Sequence, residues 1–189
     1  MSALARYSPD HKKKTRALVV ELAAVRIRAG GLESLGVASI MAEAGLTHGG
    51  FYAHFPSRDA LAAAAVTHLF MSAAEAVDRI GAKYGADALE RYVDFYLSPR
   101  HRDEERLGCP VPALAGEVRN AAPEVKAAFD AGLENLAERI GALENAGGRK
   151  AALRLLGEMA GVLAISRTIS DPRRSNDLLA SARKGALAS

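Results

Sequence analysis

The sequence predicts an all-α protein, and three observations carry that expectation. Strand signals are nearly missing: there is no alternating β-branched run and no Asn-Gly or Asp-Gly hairpin turn. Alanine, the strongest helix former, is enriched along the whole chain. Pro110, Pro123 and Pro172 each stand where a first-turn proline would open a helix.

The elements follow in order. Ser8-Pro9-Asp10 opens a first helix with a hydroxyl cap, a first-turn proline and an acid near the positive end of the dipole. Leu18, Leu22, Val25 and Ala29 give it an apolar face, and Gly30-Gly31 ends it. A short second helix over 37–44 turns Val37, Ile40, Met41 and Ala44 inward, and Gly45 supplies the left-handed residue that stops it. Thr47 is a natural N-cap for a third helix reaching His54. Pro56-Ser57-Arg58-Asp59 then restarts the chain, with Ser57 capping a long helix to about Lys83. Further helices are expected over 86–97, 110–118, 123–144, 149–168 and 172–184. The domain boundary falls inside the fourth helix. It separates an N-terminal domain, 1–70 with its core at 12–60, from a larger helical domain, 71–189.

Bulk properties exclude several function classes. With 49% hydrophobic and 25% charged residues the composition is that of a globular domain, and no apolar run reaches the roughly 18 residues of a membrane span. No signal-peptide pattern opens the chain, so the expected compartment is the cytoplasm, without a membrane partner. The single cysteine, Cys109, rules out an intrachain disulfide and a multi-cysteine zinc site. No phosphate-binding glycine loop or nucleotide fingerprint is present, so neither cofactor nor metal is expected. The whole net charge of +3 lies in residues 1–56, where Arg6, Lys12, Lys13, Lys14, Arg16, Arg26 and Arg28 face four acids. A basic end on a neutral body suits phosphate contact.

The stretch ASIMAEAGLTHGGFYAHF, residues 38–55, concentrates the functional signal. Two short apolar-patterned segments meet at Ala44-Gly45-Leu46-Thr47, which is the grammar of a helix-turn-helix. Such a unit lays its second helix in the major groove, so it needs a short turn, tight packing and a lightly built polar leading edge. Gly45 meets the first need; Met41, Leu46, Phe51 and Phe55 meet the second; Thr47, His48, Gly49 and Gly50 form the third. Two glycines in a helix cost about 1 kcal/mol each against alanine, which fits a backbone that must approach phosphates or bases closely.

On these residues the chain resembles the TetR family of bacterial transcriptional regulators. Ile40–Thr47, Gly49, Phe51-Tyr52, His54-Phe55 and Ser57-Arg58-Asp59-Ala60-Leu61 carry the likeness. The resemblance implies a three-helix N-terminal domain, a helical ligand-binding and dimerisation domain, and repression at a palindromic double-stranded DNA operator relieved by a small-molecule inducer. It further implies that Thr47 and His48 meet bases or adjacent phosphates, and that Tyr52 and His54 hydrogen-bond phosphate. Arg58 stands where the family has a phosphate-contacting lysine. Lys14, Ser39, Gly49 and Gly50 complete the expected DNA-facing set. Gly36 and Gly50 depart from the family, replacing a hydroxyl cap and a groove-facing side chain.

The second half is less explicit. The 149–168 helix is apolar nearly all round, so it is buried on two sides, one against its own domain and one against a partner copy. Leu155, Met159, Val162, Leu178 and Leu179 are the expected homodimer contacts. Met71, Tyr92, Phe95, Tyr96 and Phe129 either line an apolar pocket or form ordinary core. Cys109 precedes Pro110 at a helix start and follows Arg100, Arg102 and Arg106, features that favour a reactive thiolate if the sulfur is accessible. It is then a redox or electrophile sensor, or else a packing thiol. The remaining alternative is an enzyme with Cys109 as nucleophile, for which His101 is near in sequence. Asp103, Glu104 and Glu105, however, sit in a charged loop that offers no ordered triad.

Overall fold

The computed structural model describes residues 9–104 and 108–188; Arg6, Ser8, Glu105 and Arg106 lie outside the described residues. Within them the chain is all helix and holds no strand. Helix α1 (Pro9–Gly30) runs into Gly31, whose φ of 73° lets the chain reverse, with the Gly31 amide still bonded to Ile27 O at 2.8 Å. A 3-10 turn, Leu32–Ser34, leads to α2 (Val37–Glu43). Gly45, φ 71°, then turns the chain as the sequence requires, and the Leu46 amide donates to Met41 O at 2.8 Å.

The third expected helix differs from expectation. His48–Ala53 is a 3-10 segment, and Thr47 holds N-cap backbone angles without a side-chain cap bond. Six residues with two adjacent glycines and an unused cap cannot sustain an α-helix by propensity. Packing shapes the segment instead: Phe51 and Phe55 are buried with rings stacked 5.7 Å apart.

Helix α3 (Arg58–Tyr84) begins at Ser57, whose Oγ accepts from the Ala60 amide at 2.9 Å. It is the central strut. An 18-residue window between 58 and 96 has mean hydropathy 1.5, more apolar than the sequence reading allowed. The structure accounts for this by packing, because α3 lies against α1 on one side and α7 (Pro123–Gly141) on the other. Gly132 of α7 permits the approach, since a Cβ there would collide with the Phe70 side chain.

The 3-10 turn Gly85–Asp87 leads into α4 (Ala88–Tyr96). Next comes α5 (Pro99–Asp103), a short helix not anticipated from the sequence. Its signal was nevertheless present: Ser98-Pro99 is a cap and first-turn proline, and Ser98 Oγ accepts from the His101 amide at 3.1 Å. Helices α6 (Pro110–Val118), α8 (Gly148–Thr168) and α9 (Pro172–Ala188) complete the body around α7. One continuous buried cluster runs from Val19 to Leu179 through α3.

Candidate nucleic-acid interface and the cleft behind it

The leading edge of the 3-10 segment faces outward. Thr47, His48 and Gly49 are exposed, and Tyr52 is 69% exposed while its neighbour Phe51 is buried beneath it in an edge contact of 5.3 Å. The two glycines have different surroundings. A Cβ on Gly49 would meet open space, whereas one on Gly50 would rest against Thr47 Oγ1 and Met41 Cε. Gly50 thus turns toward α2, so the expected set narrows at this position. Ser39 is exposed and its Oγ donates to Gly36 O at 2.9 Å, so α2 starts at Gly36 without a side-chain cap on its first amides.

Basic groups of α1 flank this edge. Lys14 pairs with Asp10 at 2.9 Å, an exposed i,i+4 pair of little energetic weight. The Arg16 guanidinium lies 4.8 Å from the centre of the Phe55 ring. Burial, followed by the charges of Lys12, Arg16 and His11, pushes the His54 imidazole below its ordinary pKa, leaving it neutral at pH 7. His54 Nδ1 is buried without a hydrogen-bond partner, so only the other ring nitrogen is available for a phosphate.

Arg58, expected at phosphate, is exposed and also bonded within its own chain. Its Nη2 donates to Leu32 O at 2.7 Å and its Nε to Leu35 O at 3.1 Å. The guanidinium fork is occupied by the carbonyl end of the 3-10 turn, and Arg58 acts there as a brace. The amide end of the same turn is held from the other side. Leu32 N–H donates to Glu117 Oε2 of α6 at 2.7 Å, and a Cβ at Gly31 would collide with that carboxylate. Ser57 Oγ also donates to Glu124 Oε1 of α7 at 3.2 Å. The body therefore grips the reader through a carboxylate on one backbone amide, a contact 85 residues apart in sequence. No local pattern could have announced it.

Behind the reader is a cleft of about 370 Å³ between α1, α3 and α4. Tyr92, Phe95 and Tyr96 line it as expected, joined by Cys109, while α1 supplies a wall through Glu21, Ala24, Val25 and Arg28. Met71 and Phe129 do not take part. Met71 is 57% exposed in a separate groove between α3 and α7, and Phe129 packs edge-on against Phe70. The α3 helical phase separates them: Met71 points away from the side of α3 that carries His68, Leu69 and Ser72 into the cleft.

Cys109 is a buried thiol, which overturns its reading as an accessible thiolate. Burial pushes its pKa up, against smaller opposing effects of Tyr96, the Val111 backbone, Arg167 and Arg28. The expected activators are engaged elsewhere, Arg100 with Glu104 and Arg102 with both oxygens of Asp103. Slow alkylation is the expected outcome: iodoacetamide at pH 8 should modify the folded chain at least tenfold more slowly than the urea-unfolded chain, read by intact mass. His101 does not serve the thiol either. Its Nε2 accepts from the Cys109 amide at 3.2 Å, so Nδ1 carries the proton and donates to Tyr96 O at 2.8 Å. Both nitrogens clip the end of α4 to the start of α6, so His101 is not placed as a base for the thiol.

The expected dimer set also divides. Met159 and Leu179 are buried within their own protomer, whereas Leu155, Val162 and Leu178 are half-buried. The outward face of α8 is instead Gly157, Gly161 and Ile165, the last 57% exposed. Helical phase decides this, because α7 and α9 take the Leu156–Met159–Leu163 side.

Comparisons with known proteins agree with this architecture. Residues 19–65 match the family model described as bacterial regulatory proteins, tetR family. No curated protein matches the chain. Among solved structures, the reduced form of Escherichia coli NemR superposes with a TM-score of 0.74 at 17% identity, covering 92% of this chain and 95% of that one. A TetR-family regulator from Agrobacterium tumefaciens gives 0.70 at 18% identity, with 94% and 97% covered. Another from Streptomyces coelicolor gives 0.63 at 24%, with 93% and 95% covered. Those identities speak to the fold, and the matched segment is the one that contains α2, the glycine turn and the exposed Thr47–Tyr52 edge. Residues 19–65 thus match the DNA-binding segment of bacterial regulatory proteins of the tetR family, and the chain as a whole shares its all-helical fold with solved TetR-family regulators.

Proposed function

We propose that the chain is a homodimeric cytoplasmic repressor that binds a palindromic operator and leaves it when a small molecule occupies the cleft behind the reader. The observation that carries the DNA half is the exposed Thr47-His48-Gly49 and Tyr52 edge held on buried Phe51, with Lys12, Lys14, Arg16 and His54 beside it for phosphate. Thr47 and His48 supply the base contacts, and Tyr52 fixes the register on the backbone. His48→Ala should weaken specific operator binding by roughly ten- to a hundredfold, on the scale of one base contact, and leave binding to random DNA nearly unchanged. Mobility shifts with the chain's own upstream DNA and with a scrambled duplex measure both; equal losses on the two would remove His48 from base readout.

The release half is supported by position. Helix α1 is at once a wall of the cleft and a packing partner of α2, and Glu117 ties α6 to the turn that joins them. A molecule entering the cleft changes the seat of α1, and so the pitch of the reader. Dimerisation through the outward face of α8 would set two readers one helical turn of DNA apart. A Cβ at Gly161 meets open space, so the protomer fold tolerates Gly161→Arg. That variant should be monomeric in light scattering at micromolar concentration and lose cooperative operator binding; a stable dimer would place the interface elsewhere.

A further inference from the structure

Release by a bound molecule requires two states that differ in affinity for it, because a ligand shifts an equilibrium only by binding one of them better. The cleft between α1, α3 and α4 stands open at about 370 Å³, which makes this conformation the one that receives the molecule. The conformation that holds DNA is then one in which the cleft is narrower.

The walls show what narrowing would join. Tyr92 and Phe95 of α4 form the body side, and Ala24 and Val25 of α1 stand opposite. Val25 is 47% exposed although it lines the cleft, and Phe95 is half-buried. Apolar side chains on facing walls release their water when the walls meet, so the surface left open here favours closure. The floor offers little resistance: Ser72, Ala73 and Ala76 of α3 are small, and none of them props the walls apart. One end of α1 is anchored. Gly31, with φ 73°, follows the helix, and the next amide, that of Leu32, is held by Glu117 at 2.7 Å.

We propose that α1 and α4 form a joint that closes over the cleft in the operator-binding state, with Val25 the residue of the DNA-binding domain that closure buries against Phe95. The proposal rests on the ligand-release reading and gives it a direction: a molecule in the cleft holds the joint open. Helix α1 packs on α2, and Glu117 pins the turn between them at Leu32. A change of width at Val25 therefore turns the reader about that point.

The chain contains no tryptophan, so one substitution can both prop the joint and report on it. Val25→Trp fills the cleft from the α1 side. Leu18→Trp adds the same ring to the same helix outside the cleft lining. Both native side chains are about half in solvent, at 47% and 42%, so the full-chain variants should melt at the wild-type temperature. The indole at position 25 should be shielded, with acrylamide quenching clearly weaker than at position 18. Mobility shifts without any ligand should show operator affinity down by roughly tenfold or more for Val25→Trp and unchanged for Leu18→Trp. Binding to random DNA should be equal in all three proteins. A shielded indole with wild-type operator affinity overturns the proposal, because the joint is then propped without effect. So does an indole quenched as freely as at position 18, or an equal loss of affinity in Leu18→Trp. A wild type that prefers its upstream DNA no more than a scrambled duplex refutes the operator reading, and the joint with it.

Discussion

Phe51→Ala should abolish operator binding and destabilise the chain by about 3–5 kcal/mol, the range for emptying a buried aromatic site. Phe51 is 2% exposed and is the anchor of a six-residue 3-10 segment that lacks a side-chain cap. Its ring stacks on Phe55 and supports Tyr52 from below. Elsewhere a helix would survive such a truncation on its own hydrogen bonds. Here the adjacent glycines make local propensity unfavourable, so packing of this ring is what places Thr47 and His48. Denaturant titration reads the stability loss as a lower midpoint at unchanged slope. Tyr52→Ala is the control: with 69% of Tyr52 already in solvent, stability should move by less than about 1 kcal/mol while operator affinity falls. A Phe51→Ala protein that kept full operator affinity would show that the reader is held by something other than this core.

Glu117→Ala should cost about 1–3 kcal/mol and uncouple the reader from the body. The substitution leaves the Leu32 amide, a part-buried donor, without its carboxylate acceptor at 2.7 Å. Arg58 would still hold the carbonyl end of the turn through Leu32 O and Leu35 O. The reader therefore stays folded and binds operator, but its response to ligand is lost, as measured by mobility shift with and without the inducing molecule. Glu117→Gln keeps an acceptor and should recover much of the response. Gly31 offers an independent check, because a side chain there meets both an unfavourable φ of 73° and the Glu117 carboxylate. Gly31→Ala should thus cost more in the wild type than in the Glu117→Ala background. Additive costs would mean that the carboxylate does not press on this turn.

Much of the fold was written locally. Ser57 and the prolines at 110, 123 and 172 open helices, and Gly31 and Gly45 close or turn them, because capping bonds and positive φ are demands that single residues meet. The identity of the reader was legible for the same reason: a tight glycine turn, buried aromatics and a polar edge lie within eighteen consecutive residues. Of the five residues left open between pocket and core, Tyr92, Phe95 and Tyr96 share one cleft while Met71 and Phe129 lie apart from it, because aromatic content carries no phase between helices. For Cys109 the sequence left a sensor and a packing thiol open; the thiol is buried, and its neighbouring Arg100 and Arg102 are paired with Glu104 and Asp103.

The sequence alone determined that the chain is helical, where most of its helices start, and that residues 38–55 form a DNA-reading unit, all through interactions spanning a few residues. Tertiary structure decided the rest. It gave Arg58 carbonyl partners at Leu32 and Leu35, buried Cys109, and brought Glu117 onto Leu32 across 85 positions. It also made α1 a wall of the cleft that Tyr92, Phe95 and Tyr96 line. Those outcomes depend on which faces of distant helices meet, and helix packing is fixed by the shape of the whole core, which no local window contains.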